Sequence, residues 1–239
     1  MGRQWVIPDI HGYVKTVSSL VGDLIRPARY DEIYFLGDYI DRGPGSKEVI
    51  DFIRTMEKDE YNVTTLKGNH EDVLVELYDA QVQPRQGWWG SFRDRKLKAW
   101  LDMGGRTTLD SFGVKQVKEI PADYIEWMRN RPHYALLDRF VLVHAGLNFR
   151  NDDPFEDQQS MLWLREYEIR PERIGGRRII HGHVPVNMEL ITQSIHSSFY
   201  KFIDLDNGPY LSGKDGFGNL VALELNSMEM VIQYNMDLG

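Results

Sequence analysis

The sequence predicts an α/β fold, and two observations carry that prediction. Short runs rich in Val, Ile, Leu and aromatic residues recur along the chain, as expected for buried strands. Between the first of these runs lie segments whose apolar residues recur at helical spacing. The alternation of three strands with three helices over about the first 80 residues is typical of a parallel sheet covered by helices.

The first part of the predicted fold consists of three strands and three helices. The strands are predicted at residues 5–7, 33–36 and 63–66. The helices are predicted at residues 14–25, 49–56 and 73–77. Ser46 is the expected N-cap of the second helix, because its hydroxyl can accept a hydrogen bond from a free backbone N–H of the first turn.

The rest of the chain changes character twice. Residues 83–90 are predicted as a loop, and helical patterns follow within residues 91–132. Further strands are predicted at residues 140–143, 179–180, 190–192, 199–203, 220–223 and 230–232, with Gly-containing turns between the last of them. No linker, low-complexity segment or internal repeat interrupts the sequence. We therefore expect residues 1–239 to form a single domain.

The composition excludes several kinds of function. The 239 residues are 42% hydrophobic and 27% charged, which is ordinary for a globular protein. Cysteine is absent, which excludes disulfides, thiolate zinc sites, iron–sulfur clusters and cysteine nucleophiles. A net charge of −8 argues against general nucleic-acid binding and against anionic membranes. No targeting or membrane-spanning segment is recognisable, so we expect a cytoplasmic protein.

Polar side chains follow five of the predicted strands at their carboxyl ends. These residues are Asp9, His11, Asp38, Asn69, His70, His144, His181 and His183. In open α/β sheets, ligands bind at this edge. Carboxylates, an amide and imidazoles suit divalent metals that do not need thiolate. The set is too large for one tetrahedral zinc ion and about large enough for two metals sharing a carboxylate, an arrangement suited to displacement at phosphorus.

The order of the motifs gives a more specific indication. The chain carries Asp-Ile-His-Gly at 9–12, Gly-Asp-Tyr-Ile-Asp-Arg-Gly at 37–43 and Gly-Asn-His-Glu at 68–71, followed by histidine segments at 144–146 and 181–183. Together they resemble the phosphoprotein phosphatase family of calcineurin-like metallophosphoesterases, in its bacterial and phage branch. Residues 202–225 are similar to the C-terminal strand pair of that family. The resemblance implies a metallophosphoesterase-like β-sandwich of mixed sheets flanked by helices, in the order α/β/β/α.

The resemblance also implies a role for each matched residue. The implied metal ligands are Asp9 and His11 at a first ion, Asp38 bridging both ions, and Asn69, His144 and His183 at the second. His70 would protonate the leaving alkoxide and Asp41 would orient it. Arg42, Arg165 and Asn69 would hold the phosphate. Two divalent ions are expected. The mixed ligands suit Mn²⁺, and Fe or Zn fit as well.

The implied activity is hydrolysis of phosphoserine and phosphothreonine in proteins, by direct attack of a hydroxide that bridges two metal ions. The alternative is a dinucleoside tetraphosphate hydrolase with the same centre, because residues 42–46 and 144–147 are similar to that branch too. Asp41 before Arg42 and Glu71 after His70 favour the phosphatase. A non-catalytic metal-binding interaction module is a third interpretation, but it would be expected to lack a ligand or the catalytic histidine. The expected partners are phosphoproteins or phosphopeptides, small phosphate esters or dinucleoside polyphosphates.

A few positions near the motifs have alternative interpretations. His181 competes with His183 as a ligand, and Trp88 and Trp89 either line the rim of the site or cover an edge of the core. Glu71 is expected to help start the helix that follows it. Pro8 stands where the family usually has Gly, and it removes a backbone donor beside the first ion.

Overall fold

Nine strands build the core of the chain over the residues that the structure, a computed structural model, describes: 2–83 and 89–237, with 89–93 as backbone only. Trp88 therefore lies outside the described residues. The strands are β1 Gln4–Ile7, β2 Glu32–Phe35, β3 Asn62–Thr65, β4 Tyr134–Leu136, β5 Phe140–Val143, β6 Arg178–His181, β7 Phe202–Asp204, β8 Asn219–Glu224 and β9 Met230–Tyr234.

Helices connect most of these strands. They are α1 Val14–Ser19, α2 Ser46–Lys58, α3 Asn69–Val82, α4 Trp89–Trp100, α5 Arg106–Phe112, α6 Ala122–Arg129, α7 Gln158–Trp163 and α8 Met188–His196. A π-helical segment, Leu20–Ile25, continues α1, and a second one, Leu101–Gly105, joins α4 to α5. Within the described part of the chain, no helix has the length and apolar character needed to cross a membrane.

The strands form two mixed sheets. The first has the order β3-β2-β1-β8-β9, in which β1, β2 and β3 are parallel and β8 and β9 are antiparallel. The second has the order β4-β5-β6-β7, in which β5, β6 and β7 are parallel and β4 is antiparallel. Because parallel strands end at the same edge of a sheet, the loops after β1, β2 and β3 lie side by side, as do those after β5 and β6.

Successive side chains along each strand point to opposite faces of its sheet, and this alternation separates the core into layers. Val6 and Leu142 face the space between the two sheets, whereas Trp5 and Ile7 face the helices that cover the first sheet. Val141, next to Leu142, packs in a third cluster on the outer face of the second sheet. Each fully buried aliphatic side chain of this kind stabilises the fold by about 1.5–3 kcal/mol. The result is the predicted α/β fold of two mixed sheets flanked by helices.

The predicted strand at residues 190–192 is wrong, because these residues belong to α8. The side chain of Asn187 caps this helix by accepting the N–H of Leu190 at 2.9 Å. Ile191 and Ile195 are four residues apart and face the core between the sheets. The short apolar run fits a strand and a helix equally well, and the cap and the spacing decide for the helix.

Three smaller predictions also need correction. Ser46 is not the N-cap of α2. Gly45 takes that position, and the Ser46 hydroxyl accepts the N–H of Asp41 at 3.0 Å instead. The two strands expected to pair near the C-terminus, β7 and β8, both exist, but they lie in different sheets. Helix α4 begins at Trp89, inside the segment predicted as a loop.

Candidate metal centre

The loops after β1, β2, β3, β5 and β6 bring the predicted site residues to one place. Seven of them are almost inaccessible to solvent: Asp9, His11, Asp38, Asp41, Asn69, His70 and His144. Arg42 and His183 are partly buried, and Arg165 is exposed. Burial of so many polar groups is unfavourable unless they are paired or bind an ion.

Asp38 occupies the middle of the cluster. Its Oδ2 lies 3.6 Å from Nε2 of His11 and 3.8 Å from Nε2 of His70. Its Oδ1 lies 3.5 Å from Nε2 of His144. Two groups with a spacing suited to a metal ion share this carboxylate, one with His11 and His70 and the other with His144 and His183. The position of Asp38 is therefore the one expected of a bridging ligand.

Asn69 joins the second group. Its side-chain oxygen lies 2.9 Å from Nε2 of His144 and 3.0 Å from Nδ1 of His183. Asn69 is the first residue of α3, which starts directly after the loop that follows β3. An amide oxygen and two imidazoles converge here with Asp38, so this group has the donor types that a borderline divalent ion accepts.

Asp9 lies beside the second group. Its Oδ2 accepts the backbone N–H of His183 at 3.0 Å, whereas its buried Oδ1 has no hydrogen-bond partner among the described residues. Nε2 of His183 is also buried without a partner in that part of the chain. A buried polar atom left unpaired costs about 1–3 kcal/mol. A bound cation would supply the missing partner, so the residues present fit a metal centre.

The charge state of the cluster agrees with metal binding. Burial lowers the pKa of His11 well below its usual value, and burial together with His144 lowers the pKa of His183 to about 3. Both imidazoles are therefore neutral at pH 7, which is the form that binds metals. Burial and the nearby carboxylates of Asp206 and Asp38 raise the pKa of Asp9. A divalent cation would offset this crowding of negative charge.

His70 and Asp41 form a buried pair beside Asp38. Nδ1 of His70 donates to Oδ2 of Asp41 at 2.6 Å, which leaves Nε2 of His70 facing Asp38. Burial lowers the pKa of His70, but the carboxylates of Asp38 and Asp41 outweigh burial and raise the pKa above its usual value. An imidazole held in this way is suited to donate a proton from Nε2.

Arg42 lies over the same side of the cluster. Its Nη1 is 2.9 Å from Nε2 of His11, and its Nη2 is 3.4 Å from Nε2 of His70. The ring of Tyr210 stacks on the guanidinium at 3.9 Å from the ring centroid. Tyr210 is a site residue that sequence reasoning missed, because no motif in the sequence marks it. A cation held here can bind phosphate oxygens.

Glu71 does more than start α3. Its carboxylate accepts the backbone N–H groups of Asp38 at 2.9 Å, Tyr39 at 2.8 Å and Gly68 at 3.0 Å. It therefore fixes the loop after β2 to the loop after β3, and it holds the backbone of Asp38. Burial and the charge of Asp38 raise the pKa of Glu71 to about 8, and the N–H groups of Tyr39 and Asp38 oppose that rise.

The backbone of the site is unusual. Five site residues have left-handed φ angles: His11 at 51°, Asp38 at 51°, Asp41 at 70°, Arg42 at 70° and His183 at 76°. Residues other than Gly avoid this region, because a left-handed φ costs about 1–3 kcal/mol for each of them. Such strain persists where the surrounding contacts fix the backbone, and it is concentrated at functional sites.

A cavity of about 280 Å³ lies next to the second group. Its walls include Asp72, Lys96, Met103 and Trp163. Trp163 also packs edge-on against His183, with the ring centroids 6.2 Å apart.

Other residues singled out in the sequence belong to neither metal-spaced group. His181 is in neither metal-spaced group, and its ring packs against Phe202 with 5.5 Å between centroids. Arg165 is exposed, and its charge is one of the influences that lower the pKa of His183. The side chain of Trp89 lies outside the described part of the chain. Pro8 is buried, and Asp9 still reaches the cluster.

Known proteins share this sequence pattern. Residues 2–213 match the family of calcineurin-like phosphoesterases. The chain is 31% identical over 145 residues to the symmetrical bis(5'-nucleosyl)-tetraphosphatase of Methylobacillus flagellatus, a match that covers 60% of this chain and 43% of the relative. It is 26% identical over 229 residues to serine/threonine-protein phosphatase 2 of Salmonella typhimurium, which covers 89% of this chain and 90% of the relative.

The extent of these matches differs between the two kinds of relative. The chain spans 43%, 44% and 50% of the length of three tetraphosphatases. Among solved structures, the cold-active protein-tyrosine phosphatase of a psychrophilic Shewanella species is similar, with a TM-score of 0.61 and 15% identity over 98% of this chain and 80% of that chain. At this level of identity, the similarity shows a common fold.

Proposed function

Because the chain belongs to the calcineurin-like phosphoesterase family, we propose that it is a metal-dependent phosphomonoesterase that acts on phosphoserine and phosphothreonine in proteins. One observation carries the proposal: Asp38 lies between two metal-spaced groups, directly beside the buried pair of His70 and Asp41 and the cation of Arg42. This arrangement combines a metal centre, a proton donor and a phosphate-binding cation.

In this proposal the cluster holds two divalent ions. Asp9, whose buried Oδ1 has no hydrogen-bond partner among the described residues, would hold the first ion with His11 and Asp38. Asp38, Asn69, His144 and His183 would hold the second. His70 has the spacing of a ligand to the first ion, but its pairing with Asp41 assigns it to proton transfer. When bound, such ions supply Lewis acidity that makes water a nucleophile at neutral pH and offsets the charge of the phosphate. Mn²⁺ suits the mixed ligands, and Fe or Zn fit as well.

Arg42 and His70 supply the remaining chemistry. Arg42 binds non-bridging oxygens of the phosphate, with Asn69 beside it and Arg165 as a further cation at the edge of the site. His70 donates its Nε2 proton to the leaving oxygen as the P–O bond breaks, so that serine or threonine leaves as an alcohol. Asp41 holds Nδ1–H of His70 at 2.6 Å and stabilises the protonated ring before the transfer.

The buried acid favours an ester substrate over an anhydride. A serine alkoxide is a much poorer leaving group than a nucleotide phosphate, so protonation by His70 accelerates ester cleavage more. The Salmonella relative that is matched over 90% of its length is a serine/threonine phosphatase, which also supports this choice. The tetraphosphatase relatives support the second candidate, hydrolysis of dinucleoside tetraphosphates by the same centre.

A panel of substrates tests the proposal. The chain is loaded with Mn²⁺ and assayed on phosphoserine, phosphothreonine and phosphotyrosine peptides, 4-nitrophenyl phosphate and diadenosine tetraphosphate. We expect the highest kcat/KM on the phosphoserine and phosphothreonine peptides. A higher value for diadenosine tetraphosphate would establish the second candidate instead. Absence of hydrolysis with every substrate would contradict both.

Asp38→Asn tests the bridging role within the same assay. We expect kcat to fall about a thousandfold, because several kcal/mol of transition-state stabilisation depend on correctly held ions. Elemental analysis should find fewer than two bound ions per chain. Asp123→Asn is the control, since Asp123 is 56% exposed and pairs with Arg54. Full activity of Asp38→Asn with two bound ions would contradict the proposed role.

A further inference from the structure

The carboxylate of Asp41 receives two hydrogen bonds from helices outside the strand-end motifs. Nε1–H of Trp100, the last residue of α4, donates to Oδ2 of Asp41 at 2.9 Å. The hydroxyl of Thr108, in α5, donates to Oδ1 at 2.6 Å. All three residues are fully buried. Together with His70 on Oδ2, these donors occupy both oxygens of the carboxylate.

The direction of these hydrogen bonds follows from the number of protons. Thr108 has one hydroxyl proton, which it gives to Asp41, because a carboxylate can only accept. The backbone N–H of Asp41 donates to Oγ of Ser46 at 3.0 Å and to Oγ1 of Thr108 at 2.9 Å. The contact of 3.0 Å between the two hydroxyls is therefore a donation from Ser46 to Thr108. Backbone and side chain of Asp41 are both fixed.

Two glycines allow the segment between α4 and α5, Leu101–Gly105, to lie close to the residues around this carboxylate. A Cβ on Gly105 would lie 2.3 Å from the ring of Trp100, so only Gly lets the backbone approach the indole this closely. Gly104 has a φ of +114°, and its carbonyl accepts the N–H of Arg42 at 3.2 Å. This segment thus contacts Arg42 directly and reaches Asp41 through the indole of Trp100.

We propose that Trp100 and Thr108 are positioning residues for His70 and act through Asp41. The inference rests on the proposed function of His70 as the acid. Without the two donors, the carboxylate of Asp41 is free to rotate about its Cβ–Cγ bond, and Oδ2 no longer lies in line with Nδ1–H of His70. The imidazole then loses both its fixed tautomer and its fixed direction toward the leaving oxygen.

This role has a kinetic signature that a purely structural role lacks. An acid accelerates cleavage of a poor leaving group far more than cleavage of a good one. Trp100→Phe removes one N–H and keeps an aromatic ring, whereas Thr108→Val removes one hydroxyl at nearly the same volume. In both variants, the loss of activity on phenyl phosphate should therefore be about tenfold larger than the loss on 4-nitrophenyl phosphate. Tenfold is a fraction of the rate acceleration of about 10²–10⁴ that a complete general acid supplies.

Two further variants complete the kinetic experiment. Thr108→Ser restores a hydroxyl and should restore the ratio of the two rates. Trp127→Phe is the matched control, because Trp127 is a buried indole whose N–H donates to Glu57 at 3.1 Å and not to Asp41. That variant should leave the ratio unchanged. An unchanged ratio in both Trp100→Phe and Thr108→Val would speak against the inference.

A spectroscopic readout separates this inference from the proposed function. The measurement is the NMR spectrum of the full chain labelled with ¹⁵N-histidine, recorded once without metal and once with Zn²⁺. In both samples, His70 should show a proton fixed on Nδ1. Trp100→Phe and Thr108→Val should shift it toward exchange between tautomers. If wild-type protein hydrolyses no substrate, the proposed function fails while the spectrum still decides the inference. Unchanged rate ratios and unchanged His70 spectra in both variants would overturn it.

Discussion

At the scale of single residues, Gly182 decides where Asp9 can lie. A Cβ on Gly182 would stand 2.2 Å from Oδ1 of Asp9, closer than any non-bonded contact allows. Gly182 also separates His181 from His183, whose N–H holds the other oxygen of Asp9. The glycine therefore leaves room for the Asp9 carboxylate beside His183 in the candidate metal centre.

Gly182→Ala should displace Asp9 and weaken binding of the first ion. We expect metal affinity to fall about 10–100-fold, the usual effect of disturbing the support of a ligand. Titration calorimetry with Mn²⁺ measures it. Gly22→Ala is the matched control, because Gly22 has no atom within 4 Å of an added Cβ. Equal metal affinity of Gly182→Ala and the wild type would show that Asp9 does not bind the ion.

At the scale of elements, Glu224 fastens the β8–β9 hairpin to β1. Its carboxylate accepts the N–H groups of Gln4 at 3.0 Å, Asn226 at 3.0 Å and Ser227 at 2.6 Å. Burial raises the pKa of Glu224, but the N–H groups of Ser227 and Gln4 outweigh burial and lower the pKa below its usual value. The ionised carboxylate thus stabilises the contact between β1, the central strand of the first sheet, and the β8–β9 hairpin.

Glu224→Gln should lower the free energy of unfolding at pH 7 by about 2 kcal/mol, because an amide cannot accept all of these N–H groups. A carboxyl whose pKa is depressed by folding contributes its stability above the unfolded-state pKa of about 4.3, and loses it as the pH falls through the folded-state pKa. The difference between variant and wild type should therefore shrink in acid.

Urea unfolding at pH 7 and pH 3 measures this difference. Glu229→Gln is the control on the same hairpin, since Glu229 is exposed. If the free energies of unfolding of Glu224→Gln and the wild type differ equally at both pH values, ionisation of Glu224 does not stabilise the contact between β1 and the hairpin.

At the scale of the whole molecule, the candidate metal centre joins the two sheets. Asp9, Asp38 and Asn69 follow strands of the first sheet, whereas His144 and His183 follow strands of the second. Ions bound between them would add contacts that an unfolded chain lacks. Metal binding should therefore stabilise the packing of one sheet on the other as well as the local loops.

Mn²⁺ should raise the thermal midpoint of the chain. At a free ion concentration of about 100 times Kd, linkage contributes about 2.7 kcal/mol, or about 5–10 °C for a chain of 239 residues. Calorimetry with and without a chelator measures the shift, and potassium chloride at equal ionic strength controls for screening. Asp38→Asn should show a smaller shift. No shift in the wild type would contradict the metal centre.

Much of the fold and of the candidate site follows from local sequence. The strands β1, β2, β3 and β5 lie within one residue of their predicted positions, because buried parallel strands are continuous apolar runs. Asp38, Asn69 and His144 follow such strands within four residues, and strands of a parallel sheet end at one edge. The absence of cysteine leaves oxygen and nitrogen as ligands.

The sequence by itself therefore determined the kind of fold, the strand-end residues and the class of ligand chemistry. Only the tertiary structure decided how Trp100 and Thr108 hold Asp41, why Gly182 must be small, and that Tyr210 stacks on Arg42. Periodicity reports which side of an element is buried, whereas these contacts join residues far apart in the chain. Their existence depends on how whole elements pack together, and no local pattern records that packing.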